Sequence, residues 1–101
     1  MRSVIALASV LATAFATKGV DYSTLLSVST HQCFRQNGIS FAIPRAYYSY
    51  GAFDPNGPQN VANARAAGIS YVDIYMFPCR GKSAATQVND LVSRMSGSNY
   101  G

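Results

Sequence analysis

The order of apolar runs and helical segments is the feature that most constrains the fold of this chain. Three strand-like runs occupy residues 18–22, 39–47 and 69–77, and each is followed by a segment of helical character. The order β-α-β-α-β-α predicts an α/β protein whose parallel strands are joined by right-handed crossovers. A complete (β/α) barrel has eight such units in about 250 residues, so three units do not close a barrel by themselves.

Capping and termination signals set the bounds of the predicted helices. Ser29, with a glutamine three residues later, forms a capping box for a short helix that ends at Asn37. A second, alanine-rich helix is predicted over residues 59–67, where a glycine follows it. The third helix follows Ser83, and its apolar positions recur at helical spacing at Val88, Leu91, Val92 and Met95.

The second predicted strand contains an irregular position. Its alternation places Phe41, Ile43, Arg45 and Tyr47 on one face of the sheet. Pro44 has no backbone N–H to donate to a neighbouring strand. We therefore expect a bulge or a lost ladder hydrogen bond at this proline.

The N-terminus has the pattern of a secretory signal peptide. A positive charge at Arg2 precedes an apolar run over residues 4–15, and alanines at positions 14 and 16 form an A-x-A cleavage site. The run is too short to cross a bilayer, which needs about 20 apolar residues. We therefore expect a signal peptide at residues 1–16, one small domain at residues 17–101, and no membrane association after cleavage.

The chain contains two cysteines, Cys33 and Cys79. In an oxidising secretory compartment an even pair indicates a disulfide, which would contribute about 4 kcal/mol for a loop of this length if unstrained. The single histidine, His31, cannot complete a zinc site with them, so no metal is expected. We expect His31 to be an exposed residue on a short helix.

Charge argues against one class of partner. The net charge is +4, from eight basic and four acidic residues, and the basic residues are scattered along the chain. A scattered distribution does not favour a nucleic-acid-binding surface, whereas a mild positive charge suits an anionic polymer such as a bacterial cell wall. There is no glutamate, and the four acids are Asp21, Asp54, Asp73 and Asp90.

Aromatic residues follow two of the three predicted strands. In β/α folds the functional residues lie at the carboxyl ends of the strands, which here are residues 21–23, 47–50 and 75–78. The second and third of these groups are rich in tyrosine and phenylalanine, as expected of a surface that stacks on sugar rings. The same tyrosines could instead cap a small core with their hydroxyls in water, and the residues alone leave both interpretations open.

Short segments spread over residues 17–101 form a series when they are taken together. They are GVDYS at residues 19–23, FAIPRAY at 41–47, Gly51, Asp54, Asn60, Asn63, AAG at 66–68, and YMFPC at 75–79. In this order and spacing they resemble the N-terminal part of the glycoside hydrolase family 25 lysozymes, above all the secreted enzymes of nematodes and protists.

The resemblance implies a fold and an activity. The family has an incomplete-looking β/α barrel, so this chain would form the first part of a TIM-like barrel. The family hydrolyses the bond between N-acetylmuramic acid and N-acetylglucosamine in bacterial peptidoglycan, without a metal or cofactor. By position, the resemblance makes Asp21 the family's acidic residue on the first strand, and so the candidate catalytic residue, and makes Tyr75 its substrate-binding tyrosine at the cleft wall.

Three further residues are candidates beside these two. Tyr47 is expected at the same rim because it also lies near the carboxyl end of its strand. Asp73 lies two residues before Tyr75 on the same strand face, as a cleft residue or as a polar residue satisfied within the sheet. Asp54 stands where the family is usually acidic, and a sugar contact and a turn or helix-capping role both fit it.

One part of the family pattern has no counterpart in the 101 residues. The resemblance implies a proton-donating glutamate in an Asp-x-Glu pair on a fourth strand, and the sequence contains no glutamate. Glycoside hydrolysis ordinarily needs two carboxyl groups, one of them protonated. We therefore expect part of a longer lysozyme, a short secreted protein that binds glycan without cutting it, or a secreted α/β remnant whose likeness to lysozymes has no function. In each case we expect it outside the cell or in a lysosomal or phagosomal lumen, with no lytic activity of its own.

Overall fold

The computed structural model describes residues 17–101, so the predicted signal peptide lies outside the described residues. The three predicted helices are present and the α/β class is confirmed, but the described residues form five strands in place of the three predicted ones. The elements are β1 (Lys18–Tyr22), α1 (Val28–Gln36), β2 (Ile39–Tyr48), β3 (Ala52–Phe53), α2 (Asn56–Ala66), β4 (Tyr71–Val72), β5 (Tyr75–Met76) and α3 (Ala84–Arg94).

Strand β2 is the centre of the sheet. Strand β1 pairs with it in parallel along one edge, and β4 and β5 pair with it in parallel along the other. The short β3 runs antiparallel to the end of β2, with Tyr48 opposite Ala52, so the sheet is mixed and the purely parallel prediction is wrong. Gly51, at φ +84°, closes the intervening turn by donating its N–H to the Tyr48 carbonyl at 3.0 Å.

The third predicted strand is divided into β4 and β5 because of a proline on its neighbour. The Ala42 carbonyl accepts the N–H of Asp73 at 3.0 Å, so Ala42 directs its backbone groups toward this edge. Pro44, two residues further along β2, would direct an N–H the same way but has none. The ladder therefore loses a hydrogen bond beside Asp73 and Ile74, as the sequence predicts, and the strand is interrupted there.

The helices match the predicted ones to within about a turn. Helix α1 begins after Ser27, whose Oγ accepts a backbone N–H three residues later at 3.1 Å, and the predicted cap at Ser29 is wrong. Helix α2 begins at Asn56, earlier than predicted, because an oxygen of Asp54 accepts the Asn56 N–H at 3.0 Å. The predicted cap of α3 at Ser83 is confirmed.

The helices cover one face of the sheet, which we call the covered face. Alternate residues of β2, Ala42 and Ala46 among them, are buried beneath the helices. Helix α2 approaches closely, since a Cβ on Gly57 would lie 3.0 Å from the Cβ of Ala46. The core on this face consists of Ala42, Ala46, Tyr47, Val61, Ala64, Ile69, Val72, Leu91 and Met95.

His31 is fully buried, so its predicted exposed position is wrong. Its Nδ1 lies 2.7 Å from the Ser27 carbonyl oxygen, which can only accept, so Nδ1 carries the proton and Nε2 accepts from the Tyr22 hydroxyl. Burial raises the pKa of Tyr22 to about 12, which keeps this phenol a neutral donor. The pair fastens α1 to β1, and Phe34 packs edge-on against the imidazole.

Cys33 and Cys79 are both free thiols in the structure, which corrects the disulfide prediction. Cys33 lies near the end of α1, where the chain is about to enter the start of β2. Cys79 lies in the loop beyond β5. Because the strands are parallel, the helix returns the chain to the N-terminal end of the strands. The two thiols therefore lie at opposite ends of the sheet. An even cysteine count does not reveal this separation.

Candidate functional site

The face of the sheet opposite the helices is called here the open face. Paired residues on parallel strands point to the same side, so the register sets which side chains share a level. Asp21, Tyr71 and Asp73 are exposed on this face, and its other side chains are partly exposed. Counting toward the carboxyl ends of the strands, the three levels are Gly19, Phe41 and Tyr71; then Asp21, Ile43 and Asp73; then Arg45 and Tyr75.

The lowest level is closely packed. The Phe41 ring lies directly over Gly19, where it would collide with any Cβ. This ring and its neighbours Ile43, Tyr71 and Asp73 line a shallow cavity of about 270 Å³ on the open face. Glycine in this position of β1 is therefore a packing requirement.

Asp21 and Asp73 reach the same level of the open face, on either side of Ile43. Asp21 pairs directly with Ile43, and the register of β4 and β5 with β2 places Asp73 level with it. Two strand spacings separate the two Cα atoms, which is about 10 Å. Both side chains are exposed, and one oxygen of Asp73 accepts the N–H of Ile74 at 2.8 Å.

Tyr47 does not join them, and the predicted rim position for this residue is wrong. The register between β2 and β5 shifts between Arg45 and Tyr47, and this bulge turns Tyr47 to the covered face. Tyr47 is 3% exposed, and its hydroxyl donates to the Gly51 carbonyl at 3.3 Å. Burial raises the pKa of Tyr47, and the nearby Asp90 carboxylate adds to the shift.

The bulge brings Tyr48 to the open face in place of Tyr47. The Arg45 Cζ lies 4.5 Å from the centroid of the Tyr48 ring. Tyr48 in turn stacks on Tyr50, with centroids 4.7 Å apart and an interplanar angle of 12°. Tyr75 is paired with Arg45 on the adjacent strand. We call these four residues, Arg45, Tyr48, Tyr50 and Tyr75, the rim cluster.

Asp54 anchors the rim cluster. Its Oδ2 accepts from the Arg45 Nε at 2.9 Å, and its other oxygen accepts the N–H of Asn56. The Asp54 side chain is fully buried, whereas 24% of the Arg45 side chain is exposed. The hydrogen bond to Asp54 raises the pKa of Arg45, and burial, followed by Asp54, raises the pKa of Tyr48. Both oxygens of Asp54 are thus engaged, one in the ion pair and one with the N–H of the first residue of α2.

Two buried amide side chains fix the loops at this end of the sheet. Asn60 accepts the N–H of Leu26 and donates to the carbonyl of Thr24, both at 2.9 Å, which holds the loop after β1. Gln87 accepts the N–H of Cys79 at 2.7 Å and donates to its carbonyl at 3.1 Å, which holds the loop after β5. Sequence reasoning misses Gln87 because a helical glutamine is usually solvated.

Comparison with known proteins places the chain in a family. A family model described as lysozyme-like protein 1 matches residues 12–101. The chain belongs to this lysozyme-like family. It is 47% identical over 89 residues to a protein of Dictyostelium discoideum named probable GH family 25 lysozyme 2, with 85% of this chain and 42% of the relative covered. It is 46% identical over 76 residues to lysozyme-like protein 5 of Caenorhabditis elegans, with 75% and 35% covered.

This lysozyme-like chain spans about two fifths of the length of the curated relatives that it matches. A third relative, probable GH family 25 lysozyme 4 of Dictyostelium discoideum, is 43% identical and 42% covered. No solved structure matches the chain significantly. The resemblance to lysozymes seen in the sequence is confirmed by these matches.

The lysozyme-like chain brings together three of the five candidate residues from the sequence, and a fourth, Asp54, is buried and paired with Arg45. Asp21, Asp73 and Tyr75 lie on the open face at adjoining levels, and Tyr47 lies in the core. Alternation along β2 assigns Tyr47, and not Tyr48, to the open face. The bulge reverses this assignment, because period-2 alternation fails across a bulge. Within residues 17–101, no helix has the length and apolar character needed to cross a membrane.

Proposed function

We propose that the open face of this lysozyme-like chain binds the glycan strands of bacterial peptidoglycan. The observation that carries the proposal is the placement of Asp21 and Asp73 on the same level of an exposed sheet face, beside the aromatic rim cluster. Carboxylates accept hydrogen bonds from sugar hydroxyl and amide groups, and aromatic rings pack on the apolar faces of sugar rings. The names of the curated relatives as lysozymes support this substrate class.

We further propose that residues 17–101 form the first part of a TIM-like β/α barrel. This architecture is supported by the parallel pairing of β1, β4 and β5 with β2, and by the packing of the helices on one face of the sheet. In such barrels the face opposite the helices lines the packed interior, and the functional groups lie at the carboxyl ends of the strands. The proposed glycan contacts therefore belong to the carboxyl-end part of the open face. Asp21 and Tyr75 lie at or near those ends, as expected for a residue lining a glycan cleft and a residue of its wall.

The 101 residues bind glycan without hydrolysing it in this proposal. Hydrolysis needs a protonated carboxyl group within hydrogen-bond reach of the glycosidic oxygen, and the family's glutamate has no counterpart in this sequence. Asp73 is the remaining candidate beside Asp21, but one of its oxygens already accepts the Ile74 N–H. We therefore assign Asp73 to sugar binding. In a lysozyme of the relatives' length, the catalytic acid would come from the region that this chain does not match.

The pattern of residues 1–16 supports secretion. We propose that these residues are removed as a signal peptide and that the protein acts outside the cell or in a lysosomal or phagosomal lumen. Bacterial cell walls are accessible in those compartments.

Co-sedimentation with insoluble peptidoglycan, together with turbidity clearing of cell walls, tests the proposed function. We expect the wild type to sediment with peptidoglycan and not to clear it above background. Asp21→Asn or Asp73→Asn should weaken binding by about tenfold, because each loses a charge-assisted hydrogen bond. Asp90→Asn on α3 is the matched control, since it removes the same charge away from the open face, and it should bind like the wild type.

Two results would contradict the proposal. If the wild type does not sediment with peptidoglycan, the open face is not a glycan-binding surface. If the wild type clears cell walls and the clearing disappears in Asp21→Asn or Asp73→Asn, the two aspartates are a catalytic pair and the assignment of binding without hydrolysis is wrong.

A further inference from the structure

We infer that Tyr50 is a separate stacking subsite for a sugar ring, supported from behind by Tyr48 and Arg45. This inference rests on the proposed function, because it assigns the part of the glycan that extends beyond the level of Asp21 and Asp73. The subsite belongs to the turn between β2 and β3, outside the sheet face on which the aspartates lie.

The side chains form a continuous stack from a buried ion pair to solvent. The fully buried Asp54 holds Arg45 at 2.9 Å, the Arg45 guanidinium lies over Tyr48, and Tyr48 stacks on Tyr50. Tyr50 is 67% exposed although one of its faces is occupied by Tyr48. The opposite face of the Tyr50 ring is therefore available to a ligand.

The turn that carries Tyr50 is fixed in place before any ligand binds. The Gly51 carbonyl accepts from the Tyr47 hydroxyl at 3.3 Å and from the Lys82 Nζ at 2.8 Å, so both the core and the loop before α3 hold it. The Gly51 N–H is also used, in the turn bond to Tyr48. A fixed aromatic surface loses little conformational entropy on binding, which favours affinity.

The chemistry of the platform fits a neutral sugar ring. One face of a pyranose presents C–H groups that pack on an aromatic ring, while its hydroxyls stay at the edge and in water. A nucleobase also stacks on tyrosine, but single-stranded nucleic acid additionally needs free positive charge for its phosphates. Here the Arg45 guanidinium behind the tyrosines is already paired with the Asp54 carboxylate.

Position along the sheet separates this subsite from the aspartates. Tyr48 follows Ile43 by five residues on β2, a rise of about 16 Å at 3.3 Å per residue. A short oligosaccharide held at the level of the aspartates does not reach Tyr50, whereas a longer one does. Tyr50 should therefore contribute to the preference for long glycans over short ones.

Calorimetric titration with β-1,4-linked N-acetylglucosamine oligomers tests the inference, using a disaccharide and a hexasaccharide. We expect Tyr50→Ala to weaken hexasaccharide binding by about tenfold, and to remove most of the hexasaccharide's advantage over the disaccharide. Tyr50→Phe keeps the ring and should stay within about twofold of the wild type. Val92→Ala is the control, because Val92 is 54% exposed on α3, away from the open face, and it should also stay within about twofold.

The outcomes separate this inference from the proposed function. Hexasaccharide binding that is unchanged in Tyr50→Ala overturns the stacking subsite and leaves glycan binding at the aspartates intact. An equal loss in Val92→Ala also overturns it, since the effect would then follow from the loss of any exposed apolar side chain. If the wild type binds neither oligomer, or binds a single-stranded oligonucleotide more tightly than the hexasaccharide, the proposed function and the subsite both fail.

Discussion

The two faces of the sheet are built from the same strands but follow different rules. On the covered face, small and branched side chains pack beneath the helices, and residues such as Ala42, Ala46 and Met95 have no exposed surface. On the open face, charged and aromatic side chains, including Asp21 and Asp73, remain exposed. One strand, β2, supplies residues to both faces.

The covered face and the open face contribute differently to stability and to the proposed function. Apolar burial on the covered face supplies most of the folding free energy, since it scales with the area removed from water. The open face retains exposed carboxylates and a stacked tyrosine that contribute little to folding and are available to a ligand. A single bulge in β2 decides which tyrosine serves which purpose, with Tyr47 in the core and Tyr48 on the open face.

The largest effect is expected from a truncation in the covered face. Met95→Ala should lower the free energy of unfolding by about 2–5 kcal/mol, because the side chain is fully buried and leaves a cavity. Ile43→Ala, on the open face, should cost less than about 1.5 kcal/mol because this side chain is only partly buried. Urea unfolding of both variants measures the difference. Equal costs would mean that the open face is packed as tightly as the covered one.

A slightly smaller loss of stability is expected when the ion pair between Arg45 and the buried Asp54 is broken. Arg45→Met should cost about 3 kcal/mol, since it leaves the Asp54 carboxylate buried without its partner. The double variant Arg45→Met with Asp54→Asn should be more stable than Arg45→Met alone, because it removes the unpaired charge. A double-mutant cycle by urea unfolding checks this. Additive costs would show that the two residues do not act as a pair.

A moderate effect is expected at the lowest level of the open face. Gly19→Ala should destabilise the fold by about 1–3 kcal/mol because the new Cβ collides with the Phe41 ring. Adding Phe41→Leu should recover most of the loss, and thermal unfolding of the three variants measures it. A Gly19→Ala protein as stable as the wild type would place the Phe41 ring elsewhere.

The smallest effect on stability is expected from reduction of the two cysteines, which lie at opposite ends of the sheet. Because Cys33 and Cys79 are free, a reducing agent should leave the unfolding midpoint unchanged. An alkylating reagent should modify the exposed Cys33 faster than the partly buried Cys79, as mass spectrometry of tryptic peptides would report. A drop in the midpoint on reduction would show that the thiols do form a disulfide in solution.

Local patterns in the sequence predict most of the fold. The three helices, the three main strand regions, the α3 cap at Ser83 and the irregularity at Pro44 follow from residue types and short-range spacing, whereas the antiparallel β3 does not. Local patterns do not reveal how far apart Cys33 and Cys79 lie, because that distance depends on which end of the sheet each loop occupies. His31 was misplaced for a related reason, since its partner Tyr22 comes from another element.

The candidate site was predicted in part. The alternation within the third predicted strand places Asp73 and Tyr75 on one face, and the register of the strands brings Asp21 to that same face. Tyr48 and Tyr50 could not be chosen from the run of tyrosines, since a bulge of one residue exchanges the two faces. The buried Arg45–Asp54 pair likewise depends on the turn that brings α2 back toward β2.

In the proposed function, glycan binds to the open face and not to the helical surface. Backbone amide chemical shifts of the labelled chain, recorded during titration with a β-1,4-linked N-acetylglucosamine hexasaccharide, test it most directly. We expect shift changes confined to residues around Asp21, Arg45, Tyr50, Asp73 and Tyr75. Changes centred instead on α3 around the exposed Val88 and Val92, or no changes at saturating sugar, would contradict it.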